Sequence, residues 1–210
     1  MIISDIIPYP IWCGHRNFLI VKVETECGYY GWGEAGVSGR ELAVVGAVNH
    51  FRDFLIGKDA RLIGAHWQEL YRGQYFEGGR VLSGAISAID IALWDIAGKR
   101  FDVPTYELLG GAQRDFIPCF ATCTKDGTQD VIDDVQIHVD AGWSFIRLTT
   151  GETGTETDAD TYNVRKNIAQ RTETLIALRE QFGHELVLGI DMHHRLSIAE
   201  AASFCQHLPD

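Results

Sequence analysis

The chain has 210 residues, 46% of them hydrophobic and 22% charged, enough for a substantial core in one large domain or two small ones. A formal net charge of −11 is unlike the basic stripe of a nucleic-acid binder, yet it allows an anionic substrate, because a bound divalent cation reverses the local field. No apolar run approaches the length of a membrane span, and Met1-Ile2-Ile3-Ser4-Asp5 lacks the basic start of a secretory signal, so neither a membrane nor a nucleic acid is expected as a partner.

The first third reads as antiparallel. Ile2–Ile7, Phe18–Glu24 and Tyr29–Glu34 are short β-prone runs, with Glu26-Cys27-Gly28 as the turn between the second and third. From Gly39 to about Tyr75 the apolar spacing turns helical through Leu42, Val45, Val48, Phe51 and Leu55, then Leu62, Trp67 and Leu70. Leu82, Ala85, Ile86, Ile89, Leu93 and Ile96 form the clearest helical stripe of the chain. Asp90, Trp94 and Asp95 lie on that helix and read as packing and surface charge. Pro104 and Gly110-Gly111 mark a boundary, so an α+β domain is expected over 1–113.

The rhythm then alternates. Strands are expected at 116–122, 145–149 and 187–192, and helices at 131–141, 172–182 and 197–208, which requires a parallel sheet. The polar segment 150–170 reads as a long loop of the kind that serves an active site. Three βα units do not close a barrel, so residues 114–210 are expected to be the N-terminal part of a longer barrel domain. The five cysteines, Cys13, Cys27, Cys119, Cys123 and Cys205, are odd in number and show no CxxC spacing. They read as reduced, buried thiols of a cytoplasmic protein.

The most informative stretch is Leu186-Val187-Leu188-Gly189-Ile190-Asp191-Met192-His193-His194-Arg195. An apolar strand ends in metal-capable and acid–base groups, at the end where parallel α/β folds place catalysis. Strand alternation sets Asp191 and His193 on one face and turns His194 to the other, where a structural role is expected. Ser197-Ile198-Ala199-Glu200 then starts a helix with a capping box. Asp191 reads either as a metal ligand or as a plain loop carboxylate. Arg195 has the fork to clamp a substrate carboxylate, with a solvated salt bridge as the alternative. On the preceding strand, Phe145, Arg147 and Thr149 share a face, and a buried Arg147 needs a carboxylate partner.

Several motifs together resemble one family. These are Phe18–Val23 with Gly31-Trp32-Gly33-Glu34, then Tyr71-Arg72-Gly73-Gln74, Ala88-Ile89-Asp90-Ile91-Ala92-Leu93-Trp94-Asp95-Ile96-Ala97-Gly98-Lys99 and Leu108-Leu109-Gly110-Gly111. They resemble the mandelate racemase/muconate lactonizing enzyme branch of the enolase superfamily, and Asp191–Arg195 is most similar to its mannonate and galactonate dehydratases. The resemblance implies an α+β capping domain followed by the first βα units of an incomplete (β/α) TIM-type barrel. It also implies a homo-oligomer, an acid-sugar substrate and Mg²⁺. In such enzymes the proton α to a carboxylate is removed, the β-hydroxyl leaves, and a 2-keto-3-deoxy acid forms.

The resemblance makes Asp191 the metal ligand and His193 the general acid, an aid worth roughly 10²–10⁴-fold in rate. Racemases of the branch carry Lys-x-Lys where this chain has Arg147-Leu148-Thr149, which favours a dehydratase with Arg147 as a catalytic group. Tyr162 is the candidate partner of that arginine. The loops around Cys13–Asn17 and Val37–Arg40 correspond to those that close over substrate, so Arg16 and Arg40 are candidate substrate contacts. Three alternatives stay open: a racemase or epimerase of the same superfamily, a metal-dependent hydrolase using Asp191, His193 and His194, and an inactive fragment or homologue.

Overall fold

Three antiparallel strands open the chain in the order β1 (Ile3–Trp12), β2 (Asn17–Thr25) and β3 (Tyr30–Ala35). The structure, a computed structural model, describes residues 1–149 and 163–208. β1 runs five residues past the expected strand and through Pro8 and Pro10, which pair with Val21 and Leu19. Proline is tolerated because β1 is an edge strand, and two prolines of the same parity can both turn their missing N–H away from β2. On the inner face Leu19, Val21 and Val23 are fully buried.

Two helices cover that face, α1 (Glu41–Leu55) and α3 (Arg80–Phe101), and α2 (Ile63–Arg72) packs on α3. The buried stripe of α1 is Glu41, Val44, Val48, Phe51 and Leu55, so Leu42, expected in the core, is exposed, and Val45 only flanks it. In α2 it is His66 that is buried, while Leu62 and Trp67 lie open. The expected stripe of α3 is the centre of the core, with Ala85, Ile86, Ile89, Leu93 and Ile96 all buried. By length and composition α3 could cross a bilayer, contrary to the sequence reading; here its apolar stripe covers the sheet instead. A short helix, α4 (Thr105–Leu108), follows it.

The Gly31-x-Gly33 spacing has a steric cause. A Cβ on Gly33 would lie 1.9 Å from the Ala88 carbonyl oxygen, and one on Gly31 1.9 Å from that of Ala92. Only glycine lets α3 approach β3 so closely. The same helix guards the free edge of β3: Trp32 N–H donates to Asp95 Oδ2 at 2.9 Å, and Lys99 Nζ donates to the Tyr30 carbonyl at 2.9 Å. Asp95, read from sequence as surface charge, thus blunts an edge strand.

The chain divides into two compact units, Met1–Asp115 and Phe116–Asp210. In the second, β4 (Ala121–Cys123), β5 (Phe145–Thr149) and β6 (Val187–Asp191) form a parallel sheet in that order, alternating with α5 (Thr128–Asp140), α6 (Val164–Phe182) and α7 (Ile198–Gln206). Ile146 and Leu148 are buried with Val131, Val135 and Leu178 in a second core.

Two expectations need correction. β4 is three residues long, pairing with Ile146–Leu148 of β5 and leaving 116–120 without a ladder; Phe116 and Ile117 are exposed. α6 starts at Val164, eight residues before the expected 172, capped by the Asn163 side chain, which accepts from Lys166 N–H at 3.0 Å. The rest of the expected loop, with Tyr162, lies outside the described residues. The cysteines also depart from expectation. Only Cys123 is buried, and burial pushes its thiol up to about 11, while Cys13, Cys27, Cys119 and Cys205 are exposed.

Candidate active site

The parallel sheet turns its apolar side chains to its helices, so the other face of β5 and β6 is left with Phe145, Arg147, Thr149, Val187, Gly189 and Asp191. Register sets Arg147 beside Gly189 and Thr149 beside Asp191. Arg147 therefore lies diagonal to Asp191 at the C-terminal edge of the sheet, and its Nη1 is 3.3 Å from Asp191 Oδ2. That supplies the carboxylate partner the arginine requires. The Arg147 guanidinium also lies over the Phe120 ring, 5.0 Å from its centroid, and Phe120 in turn packs on Phe145 at 5.3 Å. Arg147 Nε is buried and has no acceptor among the described residues.

His193 reaches Asp191 by a route that alternation does not describe. β6 ends at Asp191, and Met192–Arg195 is a tight turn closed by Arg195 N–H donating to the Met192 carbonyl at 2.9 Å. Both central residues are left-handed, His193 at φ 45° and His194 at φ 60°. Such mirror-image turns favour glycine and asparagine, and a bulkier residue there is strained. The turn is pinned by Asp191 itself, whose Oδ1 accepts the His193 backbone N–H at 3.0 Å. As a result His193 Nε2 lies 3.2 Å from Asp191 Oδ2. The expected pairing of Asp191 with His193 is present, but a turn makes it. The argument that His194 faces away falls with the alternation, since His194 is simply exposed.

Asp191, Arg147 and His193 are thus brought together, all partly open to solvent. Arg195 contributes its backbone to the turn. Arg16 and Arg40 belong to the other compact unit. Arg16 lies 4.4 Å over the Phe18 ring, and Arg40 Nη1 donates to the Gly39 carbonyl at 2.7 Å. Behind the sheet's C-terminal edge, Arg171 of α6 is 1% exposed and binds Asp126 Oδ1 at 2.7 Å, fastening the loop after β4. Sequence reasoning passed over Arg171. Its signal was a single cation on the stripe Ile168, Arg171, Leu175, Leu178. Phe120 was also missed and carries no comparable signal.

As a place for Mg²⁺, Asp191 is right in kind, an anionic oxygen ligand at a strand end. The number of donors is not sufficient: among the described residues no three His, Cys, Asp or Glu side chains gather into a metal-holding group. Asp191 is therefore one ligand of a set that these residues do not complete.

Comparison with known proteins fits this picture. Residues 12–110 match the N-terminal domain of the mandelate racemase/muconate lactonizing enzyme family. A protein of Chromohalobacter salexigens named D-galactonate dehydratase family member ManD is 38% identical over 90% of this chain and 52% of its own length. A D-galactonate dehydratase of Verminephrobacter eiseniae is 36% identical over 91% of this chain and 49% of its own. Among solved structures, an enolase from Pantoea ananatis with bound D-gluconate and Mg aligns with a TM-score of 0.84 and 28% identity, covering 97% of this chain and 56% of that one.

An α+β capping unit joined in sequence to parallel βα units, with polar groups at the strand ends, defines the enolase-superfamily class of architecture. Over residues 12–110 the chain carries the N-terminal domain of the mandelate racemase/muconate lactonizing enzyme family. It spans about half the length of the curated relatives it matches.

Proposed function

We propose that this chain contributes the capping domain and the first βα units of an acid-sugar dehydratase. The observation that carries the reading is the Arg147–Asp191–His193 cluster, 3.2–3.3 Å contacts at the C-terminal edge of a parallel sheet. Its relatives are named as dehydratases, and Arg147-Leu148-Thr149 stands where a racemase would carry paired lysines.

In the reaction a base other than Asp191, Arg147 or His193 takes the C2 proton beside the substrate carboxylate, the C3 hydroxyl gains a proton and leaves as water, and the resulting enol tautomerises to a 2-keto-3-deoxy acid. Asp191, with further oxygen ligands, would hold Mg²⁺, which would supply charge stabilisation for the substrate carboxylate. His193, on an exposed turn beside that ligand, protonates the departing hydroxyl, which would otherwise leave as hydroxide. Arg147 holds Asp191 in place through Nη1 and keeps a positive charge at the site, and Arg195 stands on the same turn as a substrate contact. Arg16 and Arg40, on loops of the first unit, are proposed as further substrate contacts.

The test uses the full-length protein with a panel of aldonates, following keto-acid release and, separately, exchange of the C2 proton with solvent deuterium. Asp191→Asn is expected to abolish both. His193→Asn is expected to abolish keto-acid release while leaving exchange measurable. Undiminished keto-acid release by either variant overturns the corresponding role, and exchange without net loss of substrate in the unmodified protein overturns the dehydratase reading.

A further inference from the structure

Arg147 stands on the middle strand of the parallel sheet and meets a group from the side of each neighbour. On the β6 side it meets Asp191 through one nitrogen at 3.3 Å, with the two side chains 31% and 36% exposed. A single-point ion pair this open to water is too weak to hold a side chain as long and rotatable as arginine in one conformation. On the β4 side it meets the Phe120 ring, 5.0 Å from guanidinium carbon to centroid, within cation–π range. Phe120 directly precedes β4, and its contacts with Phe145 and Arg147 put the ring on the face away from Ala121 and Cys123, which are buried with the helices. Phe145 of β5 braces it at 5.3 Å. The ring does not fill the core. Among the described residues the second core gathers on the helix side, and neither Phe120 nor Phe145 belongs to it.

We infer that Phe120 is a positioning residue: its ring holds the Arg147 guanidinium in one orientation against Asp191, and the reaction needs that orientation. This rests on the reading of Arg147 as part of the dehydratase site. The chemistry of the contact suits the task. An aromatic face attracts a cation through its quadrupole and offers no hydrogen-bond acceptor, so the guanidinium is held while its N–H donors stay available for Asp191 and for further acceptors. A carboxylate in the place of Phe120 would bind the cation more tightly, but it would occupy those donors and cancel the charge. The guanidinium is flat and weakly hydrated, so it gives up little water by lying on a ring. Without the ring, the β4 side of the guanidinium is open and the weak pair with Asp191 has to hold it.

The test uses the full-length protein and two readouts. Modification of Arg147 by phenylglyoxal, followed by peptide mass spectrometry, reports how firmly the guanidinium is held, whatever reaction the protein carries out. Phe120→Leu keeps apolar bulk without the ring and is expected to speed labelling of Arg147 about fivefold, whereas Phe120→Tyr keeps the ring and the unmodified rate. Keto-acid release is expected to follow, with kcat about fivefold lower in Phe120→Leu and restored in Phe120→Tyr. Arg179 of α6, which donates to the Gly183 and Leu186 carbonyls, is the internal control for a loosened unit. If its labelling also rises in Phe120→Leu, Phe120→Met takes that variant's place, since methionine refills an irregular space without a ring. A rise at both arginines in Phe120→Met as well makes Phe120 a packing residue and overturns the inference. So does unchanged Arg147 labelling in Phe120→Leu, an equal rise in Phe120→Tyr, or a kcat that does not follow the labelling. A protein that releases no keto acid from any aldonate overturns the dehydratase reading instead, and the labelling then decides alone whether the ring holds the guanidinium.

Discussion

The two three-stranded sheets of this chain leave different surfaces open, and the contrast separates two tasks. In the antiparallel sheet both faces are apolar. One is covered by α1 and α3, and the other shows Tyr9, Tyr30 and Trp32 to solvent. In the parallel sheet one face is wholly apolar, and the side away from α5 and α6 mixes Phe145 and Val187 with Arg147 and Asp191. An apolar open face gains free energy by being covered, whereas a face of partnered ions gains more from a charged ligand. The first unit thus leaves apolar rings open and the second a cluster of partnered ions. The cores differ as well. The first gathers residues from Ile3 to Ile96 around one helix, while no residue of β6 is fully buried.

The sharpest way to break this comparison is at Gly33. If the first core is as closed as the 1.9 Å approach to Ala88 implies, Gly33→Ala must push α3 off the sheet. A loss of about 3 kcal/mol or more is expected in denaturant unfolding, at the upper end of overpacking costs. A stability equal to the unmodified protein would show that the strand–helix contact yields easily.

In the second unit the largest effect is expected at Arg171. Arg171→Ala removes a buried cation and its ion pair with Asp126, at a cost of about 2–3 kcal/mol, below the range for fully buried pairs because Asp126 is 37% exposed. Thermal unfolding followed by an α5–α6 probe measures it. A loss under 0.5 kcal/mol would mean that the loop after β4 is held by other contacts.

A smaller loss is expected at the start of α7. Ser197 Oγ accepts the Glu200 N–H at 3.3 Å, and Glu200 Oε2 accepts the Ser197 N–H at 2.8 Å. Ser197→Ala should cost about 1 kcal/mol. The Ser197 backbone N–H and hydroxyl hold the Glu200 carboxyl below the usual carboxylate range. Its contribution is therefore fully present above the ordinary glutamate pKa and is lost as pH falls through the lowered folded value. The penalty of Ser197→Ala should accordingly shrink in acid, and a penalty independent of pH would show that the box is not formed in solution.

The smallest effect has the opposite sign. His194 sits at φ 60°, where an L-residue costs roughly 1–2 kcal/mol and glycine does not, offset by the larger chain entropy of unfolded glycine. His194→Gly should raise stability by about 0.5 kcal/mol. A decrease would mean that the imidazole makes a stabilising contact that outweighs the strain.

Much of this was legible in the chain itself. Period-two runs for β2 and β3, the long apolar stripe of α3, the switch to alternating strand and helix, and the capping box all depend on neighbours within a few residues, so local sequence determines them. The Asp191–His193 pair was legible as chemistry, because an apolar run ending in acid–base side chains has few other uses. What tertiary structure alone decided was everything that depends on a distant partner. β4 is short because its ladder reaches only Ile146–Leu148 of β5. Leu42 is exposed because the helix it sits on meets the sheet through Val44 and Val48. Arg171 is buried because Asp126 waits 45 residues upstream, and Phe120 lies on Arg147 because two strands happen to align. Even at the site the residue types were fixed locally, whereas their contact was made by a left-handed turn that no alternation rule contains. The physical reason is common to all of them: periodicity records which face a residue shows, and only packing determines what that face meets.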